Sequence, residues 1–249
     1  MAQPTHRYIL EWSRMITPHI LHLSFIREDA EPLPFVAGQF ITIHLDDPTQ
    51  PGKTLHRSYS IANIPRQDNR IEIACAYVEN GRASQLLFNL KPGDNIKASG
   101  PYGLFVLKDE QPNRYIMIAT GTGVTPYRSM LQSISTRLAS ESTLSVMVIL
   151  GVRSHEELLF GEDFRALAQK EPRFQFKICY SRPKEAQKLE SHEHKGYVQH
   201  VFSEFNLNPS SDIVYLCGNP NMIDEAFAKL SEMGFDRKAV RREKYLFAH

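Results

Sequence analysis

The chain changes its hydrophobic grammar near the middle. Up to about residue 99, apolar and polar positions alternate in short β-rich runs at 8–12, 19–26, 39–45, 58–62, 70–78 and 95–98, separated by turn residues. A period of two turns one face of each run toward a core, and closely spaced runs of this kind predict an antiparallel barrel or sandwich. One stretch in this half, 83–90, has helical spacing, and the turn Lys91-Pro92-Gly93-Asp94 ends it. From Arg114 onward apolar β-rich runs alternate with helical ones: strands are expected at 115–119, 144–150, 174–180, 213–217 and near 241–247, and helices at 126–139, 162–169, 198–205 and 222–233. That alternation predicts a doubly wound parallel sheet with crossover helices. The polar stretch 107–113 reads as a linker, so two domains are expected, an antiparallel β-barrel over 1–106 and an α/β domain over 114–249.

Composition narrows the function classes. At 249 residues and 42% hydrophobic content the chain can fill two cores. Lys and Arg total 29 against 28 Asp and Glu, which gives no electrostatic footprint for nucleic acid. Near the end Arg237, Lys238, Arg241, Arg242 and Lys244 outnumber Asp236 and Glu243, which suits either an acidic docking partner or an ordinary solvated surface. Cys75, Cys179 and Cys217 are far apart and one short of the four thiolates that an iron–sulfur cluster needs. The first residues lack a basic segment followed by an apolar one, and the apolar run 144–150 is far shorter than the roughly 20 residues that span a bilayer. The expectation is a cytoplasmic, reduced, monomeric protein with no membrane segment and no metal.

Five short motifs carry candidate chemistry. Ala119-Thr120-Gly121-Thr122-Gly123-Val124-Thr125-Pro126 follows the first α/β strand and opens a helix. Glycines there let backbone approach a phosphate, and the helix N-terminus favours an anion; the plain alternative is a tight strand-to-helix turn. In Arg57-Ser58-Tyr59-Ser60 an extended strand points Arg57 and Tyr59 one way and Ser58 and Ser60 the other, so a guanidinium fork and a flat ring share a face, as they also would in a routine half-buried strand. Asn80-Gly81-Arg82-Ala83-Ser84 opens the one helix of the first half, as a second phosphate cradle or a simple N-cap. Ser181-Arg182 ends the third apolar strand, where open α/β sheets bind ligands, and suits a ribose 2'-phosphate or a solvated strand end. Cys217-Gly218-Asn219-Pro220-Asn221-Met222 shapes a turn able to lie under a flat ring, with Cys217 equally readable as a small buried hydrophobe.

Together with Phe35-Val36-Ala37-Gly38-Gln39-Phe40, Gly100-Pro101-Tyr102-Gly103-Leu104-Phe105 and Gly151-Val152-Arg153-Ser154, these motifs occur in the order seen in the ferredoxin–NADP reductase family, which nearly the whole chain resembles. The resemblance implies a barrel that binds FAD, an α/β domain that binds NADP(H), and electron transfer to an acidic carrier, ferredoxin or flavodoxin. By it Arg57 pairs with the FAD pyrophosphate, Ser58 and Tyr59 lie along the cofactor strand, and Ser60 bonds near flavin N5. Arg82, Ala83 and Ser84 hold the pyrophosphate, with Ala76 and Tyr77 beside the cofactor. Thr122 sits where the two cofactors meet. Arg153, Ser154, Ser181 and Arg182 hold the adenosine end of NADP, Tyr197 stacks on adenine, and Gly218, Asn219 and Pro220 guide the nicotinamide.

The catalytic set implied is Ser60, Cys217, Glu243 and Tyr245, for hydride transfer between nicotinamide C4 and flavin N5. Two departures stand out. Tyr245 matches an aromatic flavin cover, yet residues 246–249 follow it, so Leu246 joins the residues expected at the cofactor; and Pro183 follows Ser181-Arg182 where the family often has Glu. Rival readings are an NAD(P)H–flavin reductase that releases its flavin, a reductase component of an oxygenase, and a catalytically silent nucleotide sensor.

Overall fold

The computed structural model describes residues 4–184 and 188–246. These divide into two compact units, one formed by the described residues up to Leu107 with the segment Thr125–Met130, the other by Lys108–Val124 and the described residues from Leu131 onward.

The first unit is antiparallel. Strands β1 (Thr5–Thr17), β2 (Ile20–Arg27), β3 (Phe40–Asp46), β4 (Thr54–Ser60), β5 (Arg70–Ala76) and β6 (Asn95–Tyr102) form one six-stranded sheet in the order β4-β3-β6-β1-β2-β5. A bridge between Ile61 and Ile73, with the Ala62 amide donating to the Glu72 carbonyl at 2.7 Å, brings the two ends together and closes the barrel. Alternation supplies the filling: Ile41, Ile43 and Leu45 from β3 and Ile71, Ile73 and Cys75 from β5 join Leu23 and Phe25 inside. Each such aliphatic or aromatic side chain contributes about 1.5–3 kcal/mol of burial. Helix α1 (Arg82–Asn89) adds Ala83 and Leu87 to the same core.

A buried ionic cluster lies beside the closure. The Glu72 carboxylate accepts from His22 Nε2 at 3.0 Å and from Arg128 Nη1 at 3.1 Å, and the same Arg128 nitrogen donates to the Ala62 carbonyl at 2.8 Å. Its His22 and Arg128 partners hold the Glu72 carboxyl down at about 2 despite burial. Arg128 belongs to the first turns of a helix, Thr125–Ser140 (α2), that pack as part of this unit.

The second unit is parallel. Strands β7 (Arg114–Thr120), β8 (Ser145–Val152), β9 (Phe174–Tyr180), β10 (Glu193–Lys195), β11 (Asp212–Gly218) and β12 (Val240–Lys244) stand in the order β10-β9-β8-β7-β11-β12. Residues 115–119 of β7 are all buried, as expected of a strand covered on both faces. Helices α3 (Gly161–Lys170) and α4 (Pro220–Glu232) are amphipathic and bury Phe164, Met222, Ile223, Ala226 and Leu230. The chain winds outward from β7 through β8, β9 and β10, then returns to place β11 on the other side of β7. This reversal creates a crevice at the carboxyl ends of β7 and β11.

Three expectations differ in detail. The segment 198–205 is two short 3-10 turns, Val198–His200 and Phe202–Phe205, rather than one α-helix. Its apolar residues Val198, Val201, Phe202 and Phe205 have helical spacing and are all buried, but Val201 leaves helical geometry and Asn206 is left-handed, so spacing was met without a continuous hydrogen-bond ladder. The last strand stops at Lys244 instead of reaching 247, because its partner β11 runs out at Gly218; residues 247–249 lie outside the described residues. Strand β10, Glu193–Lys195, adds an element that the sequence pattern does not predict, since three polar residues carry no strand signal.

Candidate functional site

On the barrel, β4 puts Arg57 and Tyr59 on one side, both half-buried, while Ser58 is exposed and its hydroxyl meets Thr42 at 3.3 Å. Ser58 is therefore not grouped with the other two; Ser60, at the strand end, is buried. Antiparallel closure brings Tyr59 beside β5, where Cys75 Sγ lies 3.7 Å from Tyr59 Oη. Burial pushes the Tyr59 phenol well above the ordinary tyrosine range. Ala76 is half-buried, and Tyr77, 46% exposed, meets Phe88 edge-on at 5.3 Å.

The opening of α1 departs from a simple serine cap. Gly81 occupies the N-cap, and the buried Ser84 hydroxyl turns back to the Val78 amide at 3.1 Å and the Gly81 carbonyl at 2.8 Å. The first amide bonded within the helix is that of Gln85, to Gly81 at 3.0 Å, which leaves the amides of Arg82, Ala83 and Ser84 without an intrahelical acceptor. Arg82 is bound to the buried Asp47 carboxylate and to Thr49 Oγ1 at 3.0 Å. The pairing across 35 residues had no signal in the sequence. Amides without an intrahelical acceptor at a helix opening, a guanidinium on β4 and the aromatic rings of Tyr59 and Tyr77 are the chemistry that a flat cofactor bearing a pyrophosphate requires.

In the parallel unit the carboxyl ends of β7 and β11 are pressed together. Gly121–Val124 forms a single 3-10 turn before α2, whose first residues are Thr125 and Pro126. A Cβ on Gly123 would stand 2.4 Å from the Cys217 carbonyl oxygen, so only glycine fits there. Gly218, at φ +120, would bring a Cβ within 2.7 Å of the Thr120 carbonyl. Thr120, not singled out from sequence, accepts the Asn219 amide on Oγ1 at 3.0 Å. The Asn219 side chain caps α4 by accepting from Asn221 and Met222, so Asn219 and Pro220 shape this turn. Thr122 lies within the 3-10 turn beside it.

Next to that turn stands the one strongly raised carboxyl among the described residues. Cys217 and Glu243 are register partners on β11 and β12, and the Tyr245 amide donates to the Gly218 carbonyl at 2.8 Å. Burial raises the Glu243 carboxyl to about 7, and burial with the nearby Glu243 pushes the Cys217 thiol well above its usual range. Leu246 is 79% exposed.

The adenosine-end candidates also gather at one sheet edge. The Ser181 amide donates to the Val152 carbonyl at 3.0 Å and the Arg182 amide to the Arg153 carbonyl at 2.8 Å, which joins the two strand ends. The Ser154 hydroxyl is held by Glu156 at 2.7 Å, and Glu156 also pairs with Lys184. Tyr197 is 54% exposed and follows Gly196, whose amide donates to the Tyr180 carbonyl at 2.8 Å, so an open aromatic ring sits one residue from the end of β9.

Comparison with known proteins agrees with both halves. A model of the oxidoreductase FAD-binding domain matches residues 10–107, and one of the oxidoreductase NAD-binding domain matches residues 117–227. Ferredoxin–NADP reductase B of Sorangium cellulosum (strain So ce56) is 33% identical over 240 residues, covering 93% of this chain and 94% of that protein. The reductase component of phenol 2-monooxygenase from Pseudomonas sp. (strain CF600) is 30% identical over 92% of this chain, which spans 61% of that longer protein. Among solved structures, a ferredoxin NADP+ reductase from Neisseria gonorrhoeae with bound FAD and NADP superposes with a TM-score of 0.81 at 22% identity, covering 96% of this chain and 98% of that one, and so shares the fold. Among the described residues no helix is long and apolar enough to cross a membrane. The chain is a FAD- and NAD(P)-dependent oxidoreductase belonging to the ferredoxin–NADP reductase family.

Proposed function

We propose that this chain moves reducing equivalents between NADPH and a ferredoxin- or flavodoxin-type carrier, with residues 1–106 holding FAD and 114–249 holding the nicotinamide coenzyme. When bound, FAD supplies two-electron chemistry toward the nicotinamide and one-electron chemistry toward a carrier. The observation that carries this reading is Glu243: a carboxyl raised to about 7 stands in register with buried Cys217, beside the crevice at the sheet's switch point. A carboxyl of that kind holds or yields a proton at neutral pH.

The remaining residues bind and orient. Arg57 and the amides of Arg82, Ala83 and Ser84 take the FAD pyrophosphate, the Arg82 guanidinium itself being held by Asp47. Tyr59, Ala76 and Tyr77 form the bed, and Ser60 bonds to the flavin. Arg153, Ser154, Ser181 and Arg182 take the adenosine phosphates and Tyr197 stacks on adenine, a set that favours NADPH over NADH. Thr122, Cys217, Gly218, Asn219 and Pro220 seat the nicotinamide, and Tyr245 offers an aromatic face beside that turn. The free thiols suit a reducing compartment, which supports a cytoplasmic enzyme; it is read as a monomer.

Anaerobic NADPH is expected to bleach the yellow flavin absorbance, and reduced protein is expected to turn over with ferredoxin or flavodoxin. Absence of bleaching overturns the reading, and flavin that separates from protein on gel filtration at micromolar concentration points instead to a flavin reductase. A second reading, an oxygenase reductase component, is favoured by the similarity to the phenol 2-monooxygenase component; transfer to an oxygenase with neither carrier accepting electrons would establish it.

A further inference from the structure

The barrel is closed at a seam between its edge strands β4 and β5, where a single bridge joins Ile61 to Ile73. One antiparallel rung further, Tyr59 stands opposite Cys75. No bridge joins the strands at that rung, and a side chain spans it: Cys75 Sγ lies 3.7 Å from Tyr59 Oη on β4 and 3.7 Å from the Ala76 carbonyl oxygen on β5. Cys75 is 1% exposed. Its neighbours Tyr59 and Ala76 are both half-buried, on either side of the seam, and both belong to the proposed flavin bed.

We propose that Cys75 is a positioning residue for FAD, its thiol fixing the Tyr59 phenol against β5 so that the two walls of the bed keep their spacing and the Tyr59 hydroxyl keeps its direction. This rests on the assignment of Tyr59 and Ala76 to that bed. A thiol that donates to Oη leaves the hydroxyl hydrogen free to point out of the core toward an acceptor, and a thiol that donates to Ala76 takes the hydroxyl hydrogen on sulfur. Either arrangement gives the phenol one orientation. Burial raises both groups, Cys75 to about 12, so the contact is between neutral groups and persists across the physiological range.

The chemistry of sulfur matters here. A thiol is a small apolar filler with a weak, long hydrogen bond, which suits a site with 1% exposure and a partner 3.7 Å away. A serine hydroxyl wants an O–H···O distance of about 2.7–2.8 Å and sits closer to its own Cβ than sulfur does, so Cys75→Ser requires Tyr59 to move by about 1 Å or more. Cys75→Ala removes the contact altogether and leaves the phenol unheld.

A double-mutant cycle on FAD affinity, with flavin spectra recorded for every variant, tests the proposal. Cys75→Ala is expected to weaken FAD binding about fivefold and to change the shape of the bound-flavin visible band, as loss of one modest hydrogen bond would. Tyr59→Phe is expected to do the same, the double variant to be no worse than Tyr59→Phe alone, and Cys75→Ser to lie between Cys75→Ala and the parent. Losses that add in the double variant overturn the proposal and reduce Cys75 to a volume filler. Tyr59→Ala separates the two layers of inference. If it leaves FAD affinity and spectrum unchanged, the bed assignment itself fails and the proposal with it; if it abolishes FAD binding while the cycle is additive, only the role of Cys75 fails.

Discussion

In the antiparallel unit the candidate side chains are engaged within the protein: Arg82 on Asp47 and Thr49, Ser84 on Val78, Tyr59 on Cys75. In the parallel unit the binding turns are mostly backbone, packed so tightly at Gly123 and Gly218 that a single carbon would collide with the neighbouring strand end. The contrast follows from strand geometry. Antiparallel pairing aligns alternate side chains on a face, so a ligand bed there is made of side chains that need fixing. A parallel sheet presents its carboxyl ends as turns before helices, so its ligands meet amides, and space is what must be preserved. Removing side chains should therefore damage the first unit, and adding them should damage the second.

The largest effect is expected at the barrel cluster. Glu72→Ala removes the carboxylate that His22 and Arg128 share and should lower the stability of the folded state by about 3–5 kcal/mol in urea unfolding; a loss below about 1 kcal/mol would mean that the other partners and water already satisfy those two side chains. Because the Glu72 carboxyl is held near 2, below its unfolded value, its contribution is present above about pH 4 and should fade as pH falls through 2. Next comes Gly123→Ala, whose new carbon would lie 2.4 Å from the Cys217 carbonyl oxygen. It should cost at least about 100-fold in kcat/KM for NADPH while the flavin absorbance of the barrel is retained. Loss of flavin as well would break the comparison.

Coenzyme choice gives a smaller effect. Arg182→Ala should lower kcat/KM for NADPH by about 50-fold and that for NADH by less than about threefold, since only one carries the phosphate that a guanidinium fork grips. Equal losses would refute the 2'-phosphate role. Smallest is the pH term of Glu243. Its carboxyl is raised to about 7, so its stabilising contribution is complete below its unfolded value near pH 4 and is lost as pH climbs through 7. Glu243→Gln should remove about 2 kcal/mol of the decline in stability between pH 5 and pH 8, allowing for partial exposure, in denaturant titrations at the two pH values.

What could be read from sequence divides along the same line. The β9 strand, Phe174–Tyr180, was legible to the residue because its buried Phe174, Phe176, Ile178, Cys179 and Tyr180 stand between Arg173 and Ser181-Arg182. The Gly121 and Gly218 turns were legible because glycine beside a strand end has few other uses. The barrel's fixings were not: Asp47 for Arg82, Cys75 for Tyr59, and Glu72 for Arg128 join residues 16 to 56 positions apart, and each is an unremarkable residue in its own segment. Thr120 escaped for the opposite reason, since its role is to receive one backbone amide from a distant turn. The 198–205 segment shows that helical spacing specifies which residues are buried and leaves the hydrogen-bond ladder to the ends of the segment.

All three cysteines are buried as free thiols, with Cys75 and Cys179 raised to about 12 and Cys217 well above its ordinary value. Oxidants attack thiolates, and at neutral pH these sulfurs are almost entirely protonated. A flavoprotein that leaks electrons to oxygen meets peroxide, and these three thiols offer that product almost no thiolate. Exposure to peroxide should therefore leave the three thiols unmodified and countable only after unfolding.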